Sequence, residues 1–218
     1  MSVNSVGSIM DVLAASGRNV PMPDANAPIK SVLLHRDKSR ARTLAVQFPA
    51  GFSRPGTGRY EAGEELLVLA GELNLAGLRL EAGDWAWLPP RLPRSSLSSK
   101  RGAIVYTWFS AGNDWQACDD SWSGPPARMI PIGLARPEPR ELRGTSAGDG
   151  PGSSAIVPAG QQVGGPAELL DLATLGWTRI ETDELHQIGP GPALLRWHQR
   201  PARHLANGDG ARPARGAR

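Results

Sequence analysis

Between residues 31 and 110, short apolar segments alternate with breaks that carry glycine, proline, aspartate or serine. They are "SVLLHRD", "RTLAVQF", "ELLVLAGELNLAG", "LRLEAGDWAWLPP" and "AIVYTWFSAG", spaced by about ten residues. That texture predicts short antiparallel strands closed into a sandwich or barrel. Several segments are apolar at consecutive positions: Leu66 and Val68 fall on one side of their strand, Leu67 and Leu69 on the other. A sheet wet on one face alternates apolar with polar. These strands are therefore expected to be covered twice. The barrel's contents cover the inside; another sheet, the N-terminal arm or the seam of a homodimer covers the outside.

The flanks follow other patterns. In the N-terminal arm, 1–30, "SIMDVLAAS" suits a short helix capped by Ser8, and "RNVPMPDANAPIK" suits an extended run. The barrel is expected over 31–135. Residues 136–165 are rich in Gly, Pro and Ser and are expected to be a linker. In the C-terminal extension, 166–200, "PAELLDLATLG" has leucines at helical spacing (Leu169, Leu172, Leu175) before Gly176, and "WTRIET" and "ALLRWHQRP" suggest strands. The last of these echoes "RTLAVQFPA" down to the Q-x-P-A ending, as a vestigial second barrel repeat would. Residues 201–218 are expected to be a disordered basic tail.

Composition narrows the classes. The 218 residues are 40% hydrophobic and 21% charged, enough for a packed core. The net charge is +3, and the stretch Arg200–Arg218 alone carries five arginines and one acid, leaving the rest near −1. A nucleic-acid-binding body needs a basic face, so no nucleic-acid partner is expected. The single cysteine, Cys118, excludes an intramolecular disulfide and a cysteine zinc site. No basic leader and no apolar run of about 20 residues is present. The expectation is a cytoplasmic protein with no membrane partner.

Two glycine-bearing patterns carry a family resemblance. Glu64, six intervening residues and Gly71 resemble the end of the cupin motif G-x5-H-x-H-x3,4-E-x6-G, with Gly51 where its first glycine falls. Gly83, five residues and Pro89 resemble the start of the second motif, G-x5-P-x-G-x2-H-x3-N. The match spans about 31–110 and is similar in style to ChrR-type regulators and to accessory cupins of bacterial biosynthetic pathways. It implies an all-β cupin double-stranded β-helix, a jelly-roll-like barrel, with short helices and irregular extensions at both ends.

The resemblance also implies a metal held by three histidines and the glutamate, and here the chain departs from it. The H-x-H positions fall on Thr57 and Arg59 or on Gly58 and Tyr60, the second motif's histidine falls on Arg94 and its glycine on Arg91. A neutral imidazole donates a lone pair to a cation, whereas a guanidinium is always charged and has none to give. His35, His186, His198 and His204 lie outside both motifs. No metal and no cofactor are therefore expected.

What replaces the ligands is a polar set. Glu64 and Tyr60 are the candidate proton-transfer groups. Arg94 and Arg59 are the candidate binders of an anionic or carbonyl-bearing ligand. Trp87, Tyr106 and Gln47 complete the candidate ligand-binding residues, although aromatic residues at alternate strand positions serve equally as core. The expected function is a metal-independent isomerase, cyclase or lyase acting on a small organic molecule. A ligand-binding or regulatory cupin without turnover is the alternative, and a metal-dependent oxygenase is the third.

Overall fold

The computed structural model describes residues 5–119, 121–144 and 152–198. The tail expected at 201–218 and the middle of the expected linker, 145–151, lie outside those residues. Within them the chain is antiparallel β-structure with one α-helix, Ile9–Ser16, so the all-β expectation is met. Ser8 caps that helix: its hydroxyl accepts the Met10 amide at 3.2 Å, satisfying an amide that has no partner inside the helix. No helix among the described residues is long and apolar enough to cross a membrane.

The first sheet runs, in hydrogen-bonded order, Arg128–Pro131, Asp84–Leu88, Glu64–Leu75, Ala103–Phe109, Arg42–Phe48, Ile29–Arg36 and Arg18–Val20. The strand Glu64–Leu75 is long enough to leave this sheet. Beyond Gly71 it pairs with Leu78–Glu81 and, at Asn74, with Leu97–Ser99, which pairs in turn with Phe52–Arg54. Gly71 makes the bend. Its φ of +77° is left-handed, and a Cβ there would sit 1.9 Å from the Gly102 carbonyl oxygen, so no side chain fits. The bent strand closes the two sets over an interior that includes Val46, Phe48, Phe52, Leu66, Val68 and Leu73.

The second sheet holds Ser5–Val6, Trp177–Ile180, Ala167–Asp171, Ala193–Trp197, Ser153–Val157 and Arg140–Arg143. From Trp177–Ile180 to Arg140–Arg143, its neighbour order repeats that of the first sheet from Asp84–Leu88 to Ile29–Arg36. A small ribbon of Gln162–Gly164 and Leu185–Gln187 completes this half, and Val157, Val163, Leu169, Ile180, Ile188 and Leu195 form its own apolar cluster.

Two local expectations are corrected here. The leucine spacing at 166–176 does not make a helix: Ala167–Asp171 is a strand whose Leu169 and Leu170 enter different clusters on opposite faces. A sheet covered on both sides favours consecutive apolar residues, and over so short a stretch that demand outweighs a spacing of three. The segment 136–165, expected as a linker, supplies the strands Arg140–Arg143, Ser153–Val157 and Gln162–Gly164. Its large aliphatic residues, Leu142, Ile156, Val157 and Val163, are all buried.

The double cover of the first sheet has its explanation in the second. Leu67, Leu69, Trp85 and Trp108 share one cluster with Leu170 and Trp177. The outer layer is thus a sheet of the same chain, and the face that suggested a subunit seam is already occupied.

Candidate functional site

The strand Glu64–Leu75 decides what points where. Glu64, Leu66 and Val68 face the first interior, while Glu65, Leu67 and Leu69 face the second sheet, as alternation requires. At the open end of the interior lies a cavity of about 440 Å³, lined by Arg54, Tyr60, Glu64, Arg94, Thr107 and Trp115 among others. Val20, Pro21 and Met22, from the N-terminal arm, form part of its wall.

Arg94 reaches the cavity because its loop is stitched to the neighbouring segment. The Arg94 amide donates to the Gly58 carbonyl at 2.7 Å, and the Arg91 amide donates to the Tyr60 carbonyl at 2.9 Å. Prolines 89, 90 and 93 have no amide hydrogen to contribute to a sheet, so this stretch crosses the barrel end as a loop. Arg94 is 1% exposed, and its Nη1 donates a short hydrogen bond to Glu64 Oε2. Thr107 Oγ1 donates to Glu64 Oε1 at 2.7 Å. The Arg94 guanidinium lies 4.5 Å from the Tyr60 ring centroid, and Tyr60 stacks edge-on against Phe109 and Trp115. Glu64, Tyr60 and Arg94 therefore converge in one cavity, as the motif spacing suggested.

Among the cavity residues that escaped the sequence reading are Arg54 and Thr107. Arg54 is 1% exposed and lies over the Trp115 ring at 3.6 Å. It belongs to neither motif. The available signal was the alternation of "FSR", which places Phe52 and Arg54 on the same, inward face. Thr107 stands opposite Leu66 in the register, a position a sequence without a known pairing cannot assign.

Four proposed ligand-binding residues lie elsewhere. Gln47 is exposed, paired between Lys30 and Ile104. Arg59 pairs with Gln116 in a two-residue strand and does not line the cavity. Trp87 stands opposite Glu65 and Tyr106 opposite Leu67, so both point to the second sheet and serve as core. The reason is parity: one step along a strand exchanges the two faces, and these residues occupy the outward set.

That outward face carries its own buried charges. Glu65 accepts from Arg143 Nε at 3.0 Å and from Trp85 Nε1 at 3.1 Å. Glu168, from the second sheet, accepts from Arg196 at 2.7 Å, Thr43 at 2.5 Å, and both Tyr106 and Trp177 at 3.3 Å. Its other neighbour is His198, 2.9 Å away. Burial by itself would raise the Glu168 pKa; the Arg196 charge, His198 and the Thr43 hydrogen bond outweigh it and hold the carboxyl well below the ordinary range. Burial lowers the pKa of His35, and nearby Arg179 and His198 add to the effect against Glu168. Arg179 Nη1 lies 2.7 and 2.9 Å from the two His35 ring nitrogens, and because a guanidinium accepts nothing, any hydrogen bond between them runs from the arginine to an unprotonated ring nitrogen. Burial also pushes the Tyr106 hydroxyl pKa well up, with Glu168 adding to it.

Neither place suits a divalent cation. Deep in the cavity the Glu64 carboxylate is bound by a guanidinium and a hydroxyl, Asp114 at the rim is paired with Arg40, and no imidazole lines the wall. Among the described residues, His35, Glu168 and His198 do bring ligand-type atoms within 4.8 Å of one another. There the carboxylate is saturated by donors, and Arg179 and Arg196 supply the countercharge that a metal would supply.

No family model and no curated protein matches the chain. Solved structures do. A Nostoc punctiforme protein provisionally assigned as a dioxygenase aligns at 17% identity over 87% of this chain and 79% of its own, with a TM-score of 0.59. The Bacillus subtilis oxalate decarboxylase, as a mutant lacking residues 162–163, aligns at 12% identity over 91% of this chain and 78% of its own, with a TM-score of 0.50. A Pseudomonas aeruginosa protein provisionally assigned as glyoxylate-induced gives 14% identity, 82% and 83% coverage and a TM-score of 0.50. At such identities these likenesses establish the fold alone: the chain is built as a cupin β-barrel.

Proposed function

We propose that this chain is a small-molecule-binding cupin that works without a metal, with its site in the cavity of the first barrel. The observation that carries this is the convergence of Glu64, Arg94, Tyr60 and Thr107 on one cavity of about 440 Å³, a size suited to a small organic ligand. The neighbours named as a dioxygenase and an oxalate decarboxylase share the fold, but here a guanidinium stands beside the carboxylate. Our reading is acid–base chemistry of the isomerase, cyclase or lyase type. A ligand oxygen would take the Arg94 donor, which frees Glu64 Oε2 to accept or return a proton while Thr107 keeps the carboxylate in place through Oε1. Tyr60 supports the guanidinium from below and is the second candidate for a proton-transfer role.

The test is a turnover assay across a metabolite panel of isomerisable and cyclisable carbonyl compounds, with parent and Glu64→Gln protein. The amide keeps the shape and cannot take up a proton. Turnover that falls by about 100-fold or more, with binding preserved, supports the acid–base role. Equal binding with no turnover in either protein favours the alternative, a ligand-sensing cupin without catalysis. Elemental analysis of protein purified without chelator addresses the metal: close to one iron, manganese, zinc or nickel per chain defeats the metal-free reading.

A second reading concerns the C-terminal half. We infer that 140–197 is a reduced second copy of the barrel, on the evidence of the repeated strand order. Glu65-Leu66-Leu67 and Glu168-Leu169-Leu170 occupy equivalent strands, and each glutamate accepts from a tryptophan of the next strand, Trp85 and Trp177. On this alignment the partner of Ala193–Trp197 is Ala103–Phe109 rather than "RTLAVQF", to which its sequence echo pointed.

A further inference from the structure

The charges that surround the cavity do not balance. Five charged side chains line it: Arg42, Arg54, Glu64, Arg94 and Asp114. At the rim, Asp114 is exposed and already paired with Arg40 at 2.9 Å, so the half-buried Arg42 is not offset by it. The deep set is Arg54, Glu64 and Arg94, with a net charge of +1, and all three are less than a tenth exposed. A guanidinium cannot shed its proton to relieve this, and a buried charge without a counterion is costly.

Hydrogen bonding gives the same result independently. Arg54 Nε and Nη1, and Arg94 Nε and Nη2, are buried and have no partner among the described residues. The two guanidiniums lie on a shared aromatic support: Arg94 on Tyr60, Tyr60 edge-on to Trp115 at 5.3 Å, Arg54 on Trp115. Stacking orients both planes but satisfies no N–H. Beyond this polar end the wall is aliphatic and aromatic, with Leu44, Val46, Leu73, Leu75, Leu97 and Val105.

We propose that the cavity takes an amphiphilic monoanion, a monocarboxylate bearing an apolar chain or ring, with its carboxylate between Arg54 and Arg94. The inference rests on the cavity's being the ligand site, and it adds the ligand's class. One negative charge neutralises the deep set, two carboxylate oxygens supply acceptors for the orphaned N–H groups, and the apolar wall receives the tail. A dianion exceeds the net charge of the deep set. A neutral amide leaves one cation without a counterion. Arg54 becomes the residue that specifies the anion, because Arg94 is already bound to Glu64.

The experiment is calorimetric titration of the full chain with octanoate, with octanamide as its neutral counterpart and suberate as the dianion. Octanoate should bind roughly 10- to 100-fold more tightly than octanamide, the range of one charge-assisted hydrogen bond, and suberate should bind more weakly than octanoate. In Arg54→Gln the preference for octanoate over octanamide should collapse, and Arg54→Lys should restore part of it. Equal binding of octanoate and octanamide to the parent protein overturns the monoanion assignment and leaves the cavity as ligand site intact. Binding of none of the three overturns the assignment as well, and the turnover panel above then decides on the cavity separately. The parent comparison needs no variant, so a poorly folded Arg54→Gln cannot obscure it. If a well-folded Arg54→Gln keeps the parent preference, Arg54 is not the anion's partner and the assignment fails.

Discussion

Glu64 and Glu65 are adjacent in the chain, both buried and both bound to an arginine, yet they sit in two different kinds of site. Glu64 faces a cavity in which two buried guanidiniums meet one carboxylate, and four of their nitrogens have no partner among the described residues. Glu65 faces the junction of the two sheets, where Glu65 and Glu168 meet Arg143 and Arg196 in equal number. Arg196 Nε and Nη1 have no partner among the described residues there either, so what separates the two sites is the excess charge and the open space. The C-terminal half, which we read as a reduced second barrel, adds a third case. On that reading the position equivalent to Glu64 is Ala167, in a cluster with Val157, Val163, Leu169 and Leu195. A buried ion pair in a closed, charge-balanced junction serves the fold; the same pair beside space and excess charge is available to a ligand.

The largest expected effect lies at the junction. Arg196→Leu leaves Glu168 buried with its main countercharge removed and should cost about 3–5 kcal/mol of stability in urea unfolding. A loss under 1 kcal/mol would show that the junction tolerates an unpaired carboxylate and would remove the contrast with the cavity. Arg94→Leu should cost less, about 1–3 kcal/mol, because Glu64 keeps Thr107 and has a cavity beside it that admits water. Its larger consequence is expected in ligand affinity.

Acid should act on the junction first. His35 has its pKa lowered from the ordinary 6.5, so the unfolded chain binds its proton more readily, and the stability this group contributes is lost as pH falls below about 6.5. Glu168, held below the ordinary 4.5, contributes stability that is complete above that value and declines beneath it. The melting temperature should therefore be flat from pH 8 to 7, drift down from pH 6.5, and fall steeply below pH 4.5. In His35→Asn the first decline should vanish and the second should remain.

The smallest effect separates the two faces most cleanly. Tyr106→Phe removes one hydrogen bond to Glu168, worth about 0.5–1.5 kcal/mol, and should leave ligand binding in the cavity unchanged. A change in affinity equal to that of Arg94→Leu would place Tyr106 back among the ligand-binding residues.

The strands were legible because each is a short apolar run bounded by residues that break strands, a property local to the run. The Ser8 cap was legible for the same reason. The leucine spacing at 166–176 misled because a strand followed by a turn places its leucines three apart just as a helix does. Within the site, Glu64, Tyr60 and Arg94 were reached through motif spacing, whereas Trp87, Tyr106, Arg59 and Gln47 were assigned to the cavity without knowledge of strand parity.

The sequence by itself determined the class of fold and the absence of histidines from the two motifs, since both depend on which residue types occur and how far apart they stand. An arginine cannot replace an imidazole as a lone-pair donor in any conformation. Only the tertiary structure decided which carboxylate faces the cavity, that a second sheet of the same chain covers the first, and that Arg54 lines the same cavity as Arg94. Each depends on the pairing register, where one residue's slip exchanges the two faces, and on contacts between segments 40 to 125 residues apart, such as Arg54 with Leu97 and Thr43 with Glu168.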